Sequence, residues 1–457
     1  MSKISEFLNN ASLEEKIGQM FIARTPQNVE QAIKDIEDYR LGGLIVYDAD
    51  MMGLIPVEFR KKLDKFQAAA EIPLLIGIDQ EGGRVSRLTH SGLIAENKEQ
   101  FAFPRQQYAH AEQSGVGSGM KMVKRYASQN AKILRTLGIN WNFAPDADVS
   151  HAEKGFIYDR TFSSSYEQTA KYISEVVPAW QKNDLIAATL KHFPGYGNAA
   201  DTHTGFAVRS ETLDYLKTHD MLPFIAGIKV GVDSIMVTHV IYDQIDPENP
   251  ATLSAKVINL IRHECAFDGV IVTDALEMGA ISDFAKKRHQ ASVDVLAVKA
   301  GNDMIMNADY ATGIAEIATA VRNGEISERR IDDSVKRILT LKEKLHLSDE
   351  QKVREINHIA IAQLNSAKIS KTKKKIELER IEHGSVPNEI QIYGRVSDPA
   401  AEGSLLISAY DQSGKLVTTA VVGGEGKFEL KIVNEAENGQ IRLIALDPQY
   451  QILDISI

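Results

Sequence analysis

Short apolar runs alternate with longer segments of helical apolar spacing along roughly the first three quarters of the chain. Near-continuous apolar runs are typical of parallel strands buried on both faces. The runs predicted as strands are Leu41–Tyr47, Pro73–Ile78, Asn140–Ala144, Ala187–Leu190, Ser234–Thr238, Gly269–Thr273 and Met304–Met306. Strands that alternate with helices over this length predict an α/β fold, a TIM-type (β/α)8 barrel or a close variant.

Polar side chains stand where the predicted strands end. They are Asp79, Asp146, Lys191, His239, Asp274 and Asn307. The C-terminal ends of barrel strands converge on one face, where active sites lie, so these residues are expected to meet. An open doubly wound sheet also fits the pattern. That alternative is weakened because no nucleotide-binding glycine motif opens a helix after the first strand.

The C-terminal part of the chain has a different pattern, with apolar residues at every second position and Gly or Asp at the turns. The predicted strands are Glu389–Val396, Ser404–Tyr410, Leu416–Val422, Lys427–Ile432, Ile441–Leu446 and Gln451–Ile457. They indicate a small all-β sandwich-like domain. We therefore predict a barrel domain at 1–347, a helical and charged linker at 348–387 and a β-domain at 388–457.

Composition narrows the function classes. The chain has 457 residues and a formal charge of −10, from 62 acidic and 52 basic side chains, which argues against nucleic acid as the main partner. The single Cys265 excludes an intramolecular disulfide. No apolar run is long enough to span a bilayer, and the N-terminus lacks an apolar core of signal-peptide length, so a cytoplasmic location is expected.

The segment Lys191–Gly197 and the residues just after it concentrate chemistry-bearing side chains. The preceding apolar run delivers Lys191 and His192 to the rim of the predicted barrel, and Asp201 and His203 follow on a loop. A carboxylate two residues from an imidazole can orient the ring and raise its basicity, which suits proton transfer near neutral pH. The alternative is a polar loop with helix-capping residues, but the presence of all these side chains together favours a catalytic role.

Several segments, in matching order, resemble glycoside hydrolase family 3 in the branch of bacterial β-N-acetylglucosaminidases. Besides the segment from Lys191 to His203, they are Ile78–Val85, Gly138–Pro145, Arg160–Ser163 and Gly269–Met278. The resemblance runs from about Leu13 to about Leu347. Several motifs in register are far more specific than any one of them alone.

The resemblance implies a role for each matching residue. Asp274 matches the catalytic nucleophile, and His203 with Asp201 matches a His–Asp general acid/base pair. The substrate-binding residues would be Asp79, Arg87, Arg160, Lys191, His192 and His239. Glu81 would tether its turn, and Asp146 and Asp148 would be capping or rim residues. No cofactor and no metal are implied.

Two positions depart from the pattern of the family. Ala275 stands where the family often has a second aspartate, which makes Asp274 the sole candidate in its segment. Tyr196 stands where a histidine is common. Since Tyr196 lies outside the acid/base pair, we expect altered substrate contacts and retained activity.

The expected function is that of a retaining exo-acting β-N-acetylglucosaminidase. It would hydrolyse terminal β-linked N-acetylglucosamine of an oligosaccharide or glycopeptide, in cell-wall or amino-sugar turnover. A phosphorylase or a β-glucosidase on the same fold, or a non-enzymatic sugar-binding protein, remains an alternative. A metal hydrolase would require ligands such as His192, His203 and His239 to meet on one face of the barrel. The sequence does not specify a partner for the β-domain.

Overall fold

Eight parallel strands follow one another in chain order around a barrel in the computed structural model. They are β1 (Phe21–Arg24), β2 (Gly43–Val46), β3 (Leu75–Ile78), β4 (Trp141–Asn142), β5 (Ala187–Phe193), β6 (Ser234–Val237), β7 (Val270–Thr273) and β8 (Ile305–Asn307). β1 pairs with both β2 and β8. Between β7 and β8, the Thr273 N–H donates to the Met304 carbonyl at 3.1 Å, which completes the circle. The predicted (β/α)8 barrel is confirmed.

Helices occupy most of the connections between these strands. The structure describes residues 3–26, 28–93, 102–113, 115–202, 205, 207–278, 281, 284, 292–307 and 309–347, followed by separate C-terminal strands between 376 and 456. The helices are Lys3–Asn10, Leu13–Gly18, Val29–Tyr39, Asp48–Met51, Pro56–Ala69, Arg87–His90, Pro104–Glu112, Ser118–Thr136, Tyr166–Trp180, Leu213–Thr218, Leu222–Lys229, Ala255–Asn259, Val293–Ala300, Tyr310–Arg322 and Glu328–Lys344. None of those within the described ranges is long and apolar enough to cross a membrane.

The barrel interior is filled by side chains and contains a polar layer. Trp141, on β4, is fully buried and donates its indole N–H to Thr189 Oγ1 at 2.8 Å and Ser234 Oγ at 2.9 Å. These three residues come from three adjacent strands. A Cβ on Gly77 would lie 2.6 Å from the Phe143 ring, so glycine is needed there for close packing. The interior is therefore a packed core, and chemistry is confined to the ends of the strands.

Strand β1 is the barrel strand that the apolar pattern missed. It is four residues long, and only two residues separate it from the helix Leu13–Gly18. That helix starts with a capping box, in which Ser12 Oγ accepts from Glu15 N–H at 3.2 Å and Glu15 Oε2 accepts from Ser12 N–H at 2.8 Å. The apolar residues of β1 continue the helical spacing, so only pairing with β2 and β8 makes this segment a strand.

The chain divides into two compact units. The first comprises Met1–Val46, Asp64–Val85 and Ala102–Ser348 and contains all eight barrel strands, whereas the second comprises Tyr47–Leu63, Ser86–Phe101 and Asp349–Ile457. The C-terminal strands of the second unit are Ile376–His383, Glu389–Val396, Leu406–Tyr410, Leu416–Val421, Lys427–Val433, Gln440–Ala445 and Leu453–Ser456. They form one three-stranded and one four-stranded antiparallel sheet.

The two C-terminal sheets share one hydrophobic core. Ile392 and Leu430 of the three-stranded sheet and Ile407 and Leu443 of the four-stranded sheet belong to the same buried cluster. Two sheets packed on a common core form a sandwich, as the alternating pattern predicts. The first strand, Ile376–His383, lies within the predicted linker. The helix predicted after Ser348 lies outside the described residues, and the domain boundaries stay a prediction.

Lys342 is a buried lysine of the barrel unit that bears on stability. Its side chain is 1% exposed, and its Nζ donates to Gln19 Oε1 at 2.7 Å. Burial lowers the pKa of Lys342 to about 7, and no carboxylate in the described part of the chain offsets it. The folded protein therefore binds this proton more weakly than the unfolded chain does, and stability rises with pH from about 7 towards 10.

Replacing Lys342 with methionine should stabilise the protein, more at pH 6 than at pH 9. The variant removes the free-energy cost of burying a charged ammonium group. This cost is largest below pH 7, where the buried lysine is charged. We expect the gain in the free energy of unfolding to be about 2 kcal/mol larger at pH 6 than at pH 9. Denaturant unfolding of both proteins at the two pH values measures this difference. An equal effect at both pH values would mean that burial does not lower the pKa of Lys342.

Candidate active site

The C-terminal ends of the barrel strands bring together most of the predicted site residues. Asp79 directly follows β3, Lys191 and His192 lie at the end of β5, and Asp274 directly follows β7. His239 follows β6, and Arg160 comes from the loop between β4 and the helix Tyr166–Trp180. The predicted convergence of these residues on one face is therefore observed for the described side chains. His203 lies outside the described residues, as does the side chain of Asn307.

A local irregularity in β5 helps to place two successive side chains in the site. Leu190 pairs with Ile235 of β6, but the next pair along is Phe193 with Val237, so β5 has one residue more than β6. Successive residues of a regular strand point to opposite faces, and an extra residue re-aims them. Lys191 and His192 occupy this position, and both side chains are buried against site residues.

Glu81 links the two cations of the site. Arg160 donates from Nε to Glu81 Oε2 at 2.9 Å and from Nη2 to Glu81 Oε1 at 2.8 Å. Lys191 Nζ lies 2.6 Å from Glu81 Oε1 and 2.7 Å from Asp79 Oδ1. Burial alone would raise the pKa of Glu81, but Arg160 and Lys191 outweigh it and hold that pKa well below its usual range. The carboxylate stays ionised and both cations stay in place.

Asp148 orients His192 from the other side. The two atoms His192 Nδ1 and Asp148 Oδ2 are 2.7 Å apart, and His192 Nε2 lies 3.2 Å from Arg160 Nη2. Because a guanidinium only donates, Nε2 must accept, and the ring proton must be on Nδ1. Asp148 Oδ1 also accepts from the Tyr196 N–H at 2.6 Å. This fully buried carboxylate therefore determines both the tautomer and the orientation of His192.

Asp146 differs from the other carboxylates of the network. Burial and the neighbouring Asp148 carboxylate raise the pKa of Asp146 well above its usual value, although Arg160 Nε lies 3.6 Å from Asp146 Oδ2. The surroundings of Asp146 therefore favour its neutral form, whereas those of Glu81 favour the ionised form. We read Asp146 and Asp148 from the sequence as capping or rim residues, whereas both lie inside the site network.

Asp274 has the properties of an accessible anion. Its side chain is half-buried, and its Oδ1 accepts from the Ala275 N–H at 2.8 Å. Burial would raise the pKa of Asp274, but nearby His239 and His192, the Ala275 hydrogen bond and Lys191 lower it below its usual value. The carboxylate is thus ionised at neutral pH.

His239 is fixed at the end of β6 by hydrogen bonds from both ring nitrogens. Its Nε2 lies 2.9 Å from the Ala275 carbonyl, so Nε2 must donate. Its Nδ1 lies 2.8 Å from Thr252 Oγ1, which also lies within hydrogen-bond distance of the Val237 and Thr238 carbonyls, at 3.0 and 2.7 Å. The ring is thus held beside the residue that follows Asp274.

Tyr196 holds the segment that carries Asp201. Its hydroxyl donates to the Ala200 carbonyl at 2.8 Å and accepts from the Thr202 N–H at 2.9 Å. Burial raises the pKa of Tyr196 to about 12, so the hydroxyl keeps its proton at neutral pH. The predicted role of Tyr196 in substrate contacts stays a prediction, because the contacts observed are to the loop.

Arg87 belongs to the second compact unit. Within that unit its Nη1 lies 3.7 Å from Asp48 Oδ2, and its guanidinium carbon lies 5.4 Å from the centre of the Tyr47 ring. Its predicted part in substrate binding stays a prediction.

Among the described residues, the three potential metal ligands with donor atoms within 4.8 Å of one another are Asp146, Asp148 and His192. This trio differs from the three histidines considered from the sequence. Asp148 uses both carboxylate oxygens for hydrogen bonds, and His192 uses Nδ1 for one of them. A cation would have to break this pattern, so the donor set fits a hydrogen-bond network better than a metal site.

Replacing Arg160 with lysine should damage the site although the charge is kept. One ammonium group cannot reproduce the two-pronged contact with Glu81 and also reach His192. We expect the free energy of unfolding to fall by about 2 kcal/mol. Denaturant unfolding measures this loss.

Arg84 offers a matched control for that variant. It makes the same two-pronged contact with Asp159, at 2.8 and 3.0 Å, but both side chains are more than 40% exposed. Arg84→Lys should cost less than about 0.5 kcal/mol. Equal losses in the two variants would show that burial of the Glu81 pair is unimportant.

A closed parallel barrel with a charged site at the C-terminal ends of its strands is the arrangement of (β/α)8-barrel enzymes. Comparison with known proteins identifies the family. The chain matches the description "Glycosyl hydrolase family 3 N terminal domain" over residues 12–341. Because the match covers most of the chain, the protein belongs to glycosyl hydrolase family 3. The resemblance drawn from its sequence motifs is confirmed.

Named relatives agree with this placement. The chain is 30% identical over 341 residues to "Beta-hexosaminidase A" of Pseudoalteromonas piscicida, covering 68% of this chain and 54% of that protein. It is 36% identical over 216 residues to "Beta-hexosaminidase" of Xanthomonas euvesicatoria pv. vesicatoria (strain 85-10), covering 47% of this chain and 62% of that protein. The chain thus spans about half to three fifths of the length of these relatives.

A solved structure shares the fold. The family 3 β-N-acetylglucosaminidase from Paenibacillus sp. str. FPU-7 superposes with a TM-score of 0.65 at 30% identity, covering 82% of this chain and 70% of that one.

Proposed function

We propose that this protein is a retaining exo-acting β-N-acetylglucosaminidase that removes terminal β-linked N-acetylglucosamine from an oligosaccharide or glycopeptide. The observation that carries the proposal is Asp274, a half-buried carboxylate at the end of β7 with a pKa below its usual value. An ionised, accessible carboxylate can attack an anomeric carbon. The names of the relatives support the substrate class.

The proposed reaction has two steps. In the first, an Asp274 oxygen bonds to the anomeric carbon while the glycosidic C–O bond breaks, and the leaving oxygen takes a proton from His203. In the second, His203 accepts a proton from water, the water oxygen bonds to the anomeric carbon, and Asp274 is released. Two inversions at one carbon retain its configuration. Asp201 would orient His203 and support its charged form.

The charged network would bind the sugar. Asp79 is partly exposed and can accept hydrogen bonds from sugar hydroxyls, while Lys191 holds it in position. His192, held by Asp148, presents a fixed ring to the site. Arg160 is largely occupied by Glu81, so we assign it mainly to holding Glu81 and His192. The roles of Arg87 and His239 toward the sugar are part of the same proposal.

Assays on aryl β-glycosides test the proposal. We expect the rate on aryl β-N-acetylglucosaminide to exceed that on aryl β-glucoside by roughly 100-fold, because a site built for hydrogen bonds to a substituent rejects a sugar that lacks it. Phosphate should not change the rate, and NMR should show a β-configured first product. A preference for glucoside would indicate a β-glucosidase. Formation of a sugar phosphate would indicate a phosphorylase, and binding without turnover a sugar-binding protein.

The biological setting is a further part of the proposal. We propose cell-wall or amino-sugar turnover, which fits the resemblance to bacterial β-N-acetylglucosaminidases. Growth and muropeptide profiles of a deletion strain would test it.

A further inference from the structure

We propose that Tyr196 is a positioning residue for acid/base catalysis: its hydroxyl fixes the backbone on both sides of Asp201 and thereby sets the Asp201–His203 pair. The inference rests on the proposed function, which assigns the acid/base role to this pair. Tyr196 itself would not touch the substrate. Its effect would be specific to the proton-transfer steps.

Tyr196 is firmly held on the barrel side. Its side chain is 2% exposed, and its N–H donates to Asp148 Oδ1 at 2.6 Å. Its ring packs edge-on against His192, with 5.7 Å between ring centres. Both contacts are to residues of the site network. The phenol therefore projects from a fixed base towards the loop.

The hydroxyl binds the two peptide groups that flank Asp201. The Ala200 carbonyl accepts from it at 2.8 Å, and the Thr202 N–H donates to it at 2.9 Å. Thr202 Oγ1 lies 3.2 Å from the same oxygen, and Thr202 is 1% exposed. With both flanking peptide groups held, the direction of the Cα–Cβ bond of Asp201 is fixed. A carboxylate can orient an imidazole only if its own position is determined.

The base of the loop has separate anchors. The Gly195 carbonyl accepts from Arg209 Nη1 at 2.8 Å and from the Tyr242 hydroxyl at 2.5 Å. Gly197 has a φ of 56°, and a Cβ there would lie 2.5 Å from Arg209 Nη1. These contacts do not involve the Tyr196 hydroxyl. Loss of that hydroxyl should therefore leave the base of the loop in place and release only the part around Asp201.

The experiment compares Tyr196→Phe with wild type on two substrates, a GlcNAc disaccharide and a dinitrophenyl β-N-acetylglucosaminide. An alkoxide leaving group needs protonation, whereas a dinitrophenolate leaves without help. We expect kcat/KM to fall about 10- to 100-fold on the disaccharide and less than about 3-fold on the aryl substrate. The histidine-like limb of the pH profile should also move, since the imidazole loses part of its carboxylate support.

Two further variants make the outcomes distinct. Tyr172→Phe removes another buried hydroxyl, on a ring that stacks on Phe162 at 4.1 Å between ring centres, and should not change the substrate ratio. His203→Ala tests the proposed function itself, because it must show the leaving-group dependence. Suppose that His203→Ala shows the leaving-group dependence. If Tyr196→Phe then loses the same factor on both substrates, or keeps the wild-type rate on both, the positioning role is wrong. If His203→Ala lacks the leaving-group dependence, the acid/base assignment of His203 is wrong, and the positioning role of Tyr196 is wrong with it.

Discussion

Asp274→Asn is expected to lower kcat on an aryl β-N-acetylglucosaminide by at least about a thousandfold while the fold remains intact. The amide has nearly the same shape but no negative charge, so it cannot form the glycosyl ester. The environment of the wild-type side chain, which lowers the pKa of Asp274, stabilises an anion that the variant no longer has. Circular dichroism and the unfolding midpoint would establish that the variant is folded.

Asp268 is the matched control for this variant. It is exposed and precedes the same strand, β7, at the opposite end of the barrel. Asp268→Asn should keep the wild-type rate. A fluorinated N-acetylglucosaminyl fluoride should label Asp274 in the wild type, which peptide mass spectrometry would locate. Wild-type turnover by Asp274→Asn, or a label on another residue, would refute the assignment.

His203→Ala is expected to lower kcat/KM on a GlcNAc disaccharide by roughly 10²- to 10⁴-fold, with a milder loss in the glycosylation of the enzyme by an activated aryl glycoside. The imidazole must protonate an alkoxide but not a phenolate of low pKa. Asp201→Ala should show the same pattern more weakly, because it removes only the orienting partner. Steady-state and burst kinetics on both substrates separate the two steps.

His263, an exposed histidine of the helical segment Leu260–Glu264 before β7, provides the control for His203→Ala. His263→Ala should leave both rates and the pH profile unchanged. Because the pKa of Asp274 is already below its usual value, a limb near neutral pH in the wild-type profile must come from another group. If this limb disappears in His203→Ala, it belongs to His203. Equal losses on both substrates would instead indicate a structural role for the loop.

Local patterns were sufficient for most of the barrel. Every barrel strand except β1 was predicted within a few residues, because a strand buried on both faces has an apolar run that stands out from helical spacing. β1 has only four residues, and its partners β2 and β8 lie about 20 and 280 residues further along the chain. Its conformation depends on these distant pairings. The strand Ile376–His383 was missed for a different reason: it lies in the segment that its charged residues marked as a linker, and it forms a strand by pairing with the neighbouring Glu389–Val396.

The sequence by itself determined which polar residues end the strands, and the resemblance to its family attached roles to Asp274, Asp201 and His203. Only the tertiary structure decided how the charges are paired. Glu81 and Arg160 are 79 residues apart, and Asp148 and His192 are 44 apart. Protonation depends on burial and on charges within a few ångströms, and neither can be obtained from local spacing. For this reason Asp146 and Asp148, which as isolated residues look like capping groups, emerge as parts of the site only when the barrel brings them beside Arg160 and His192.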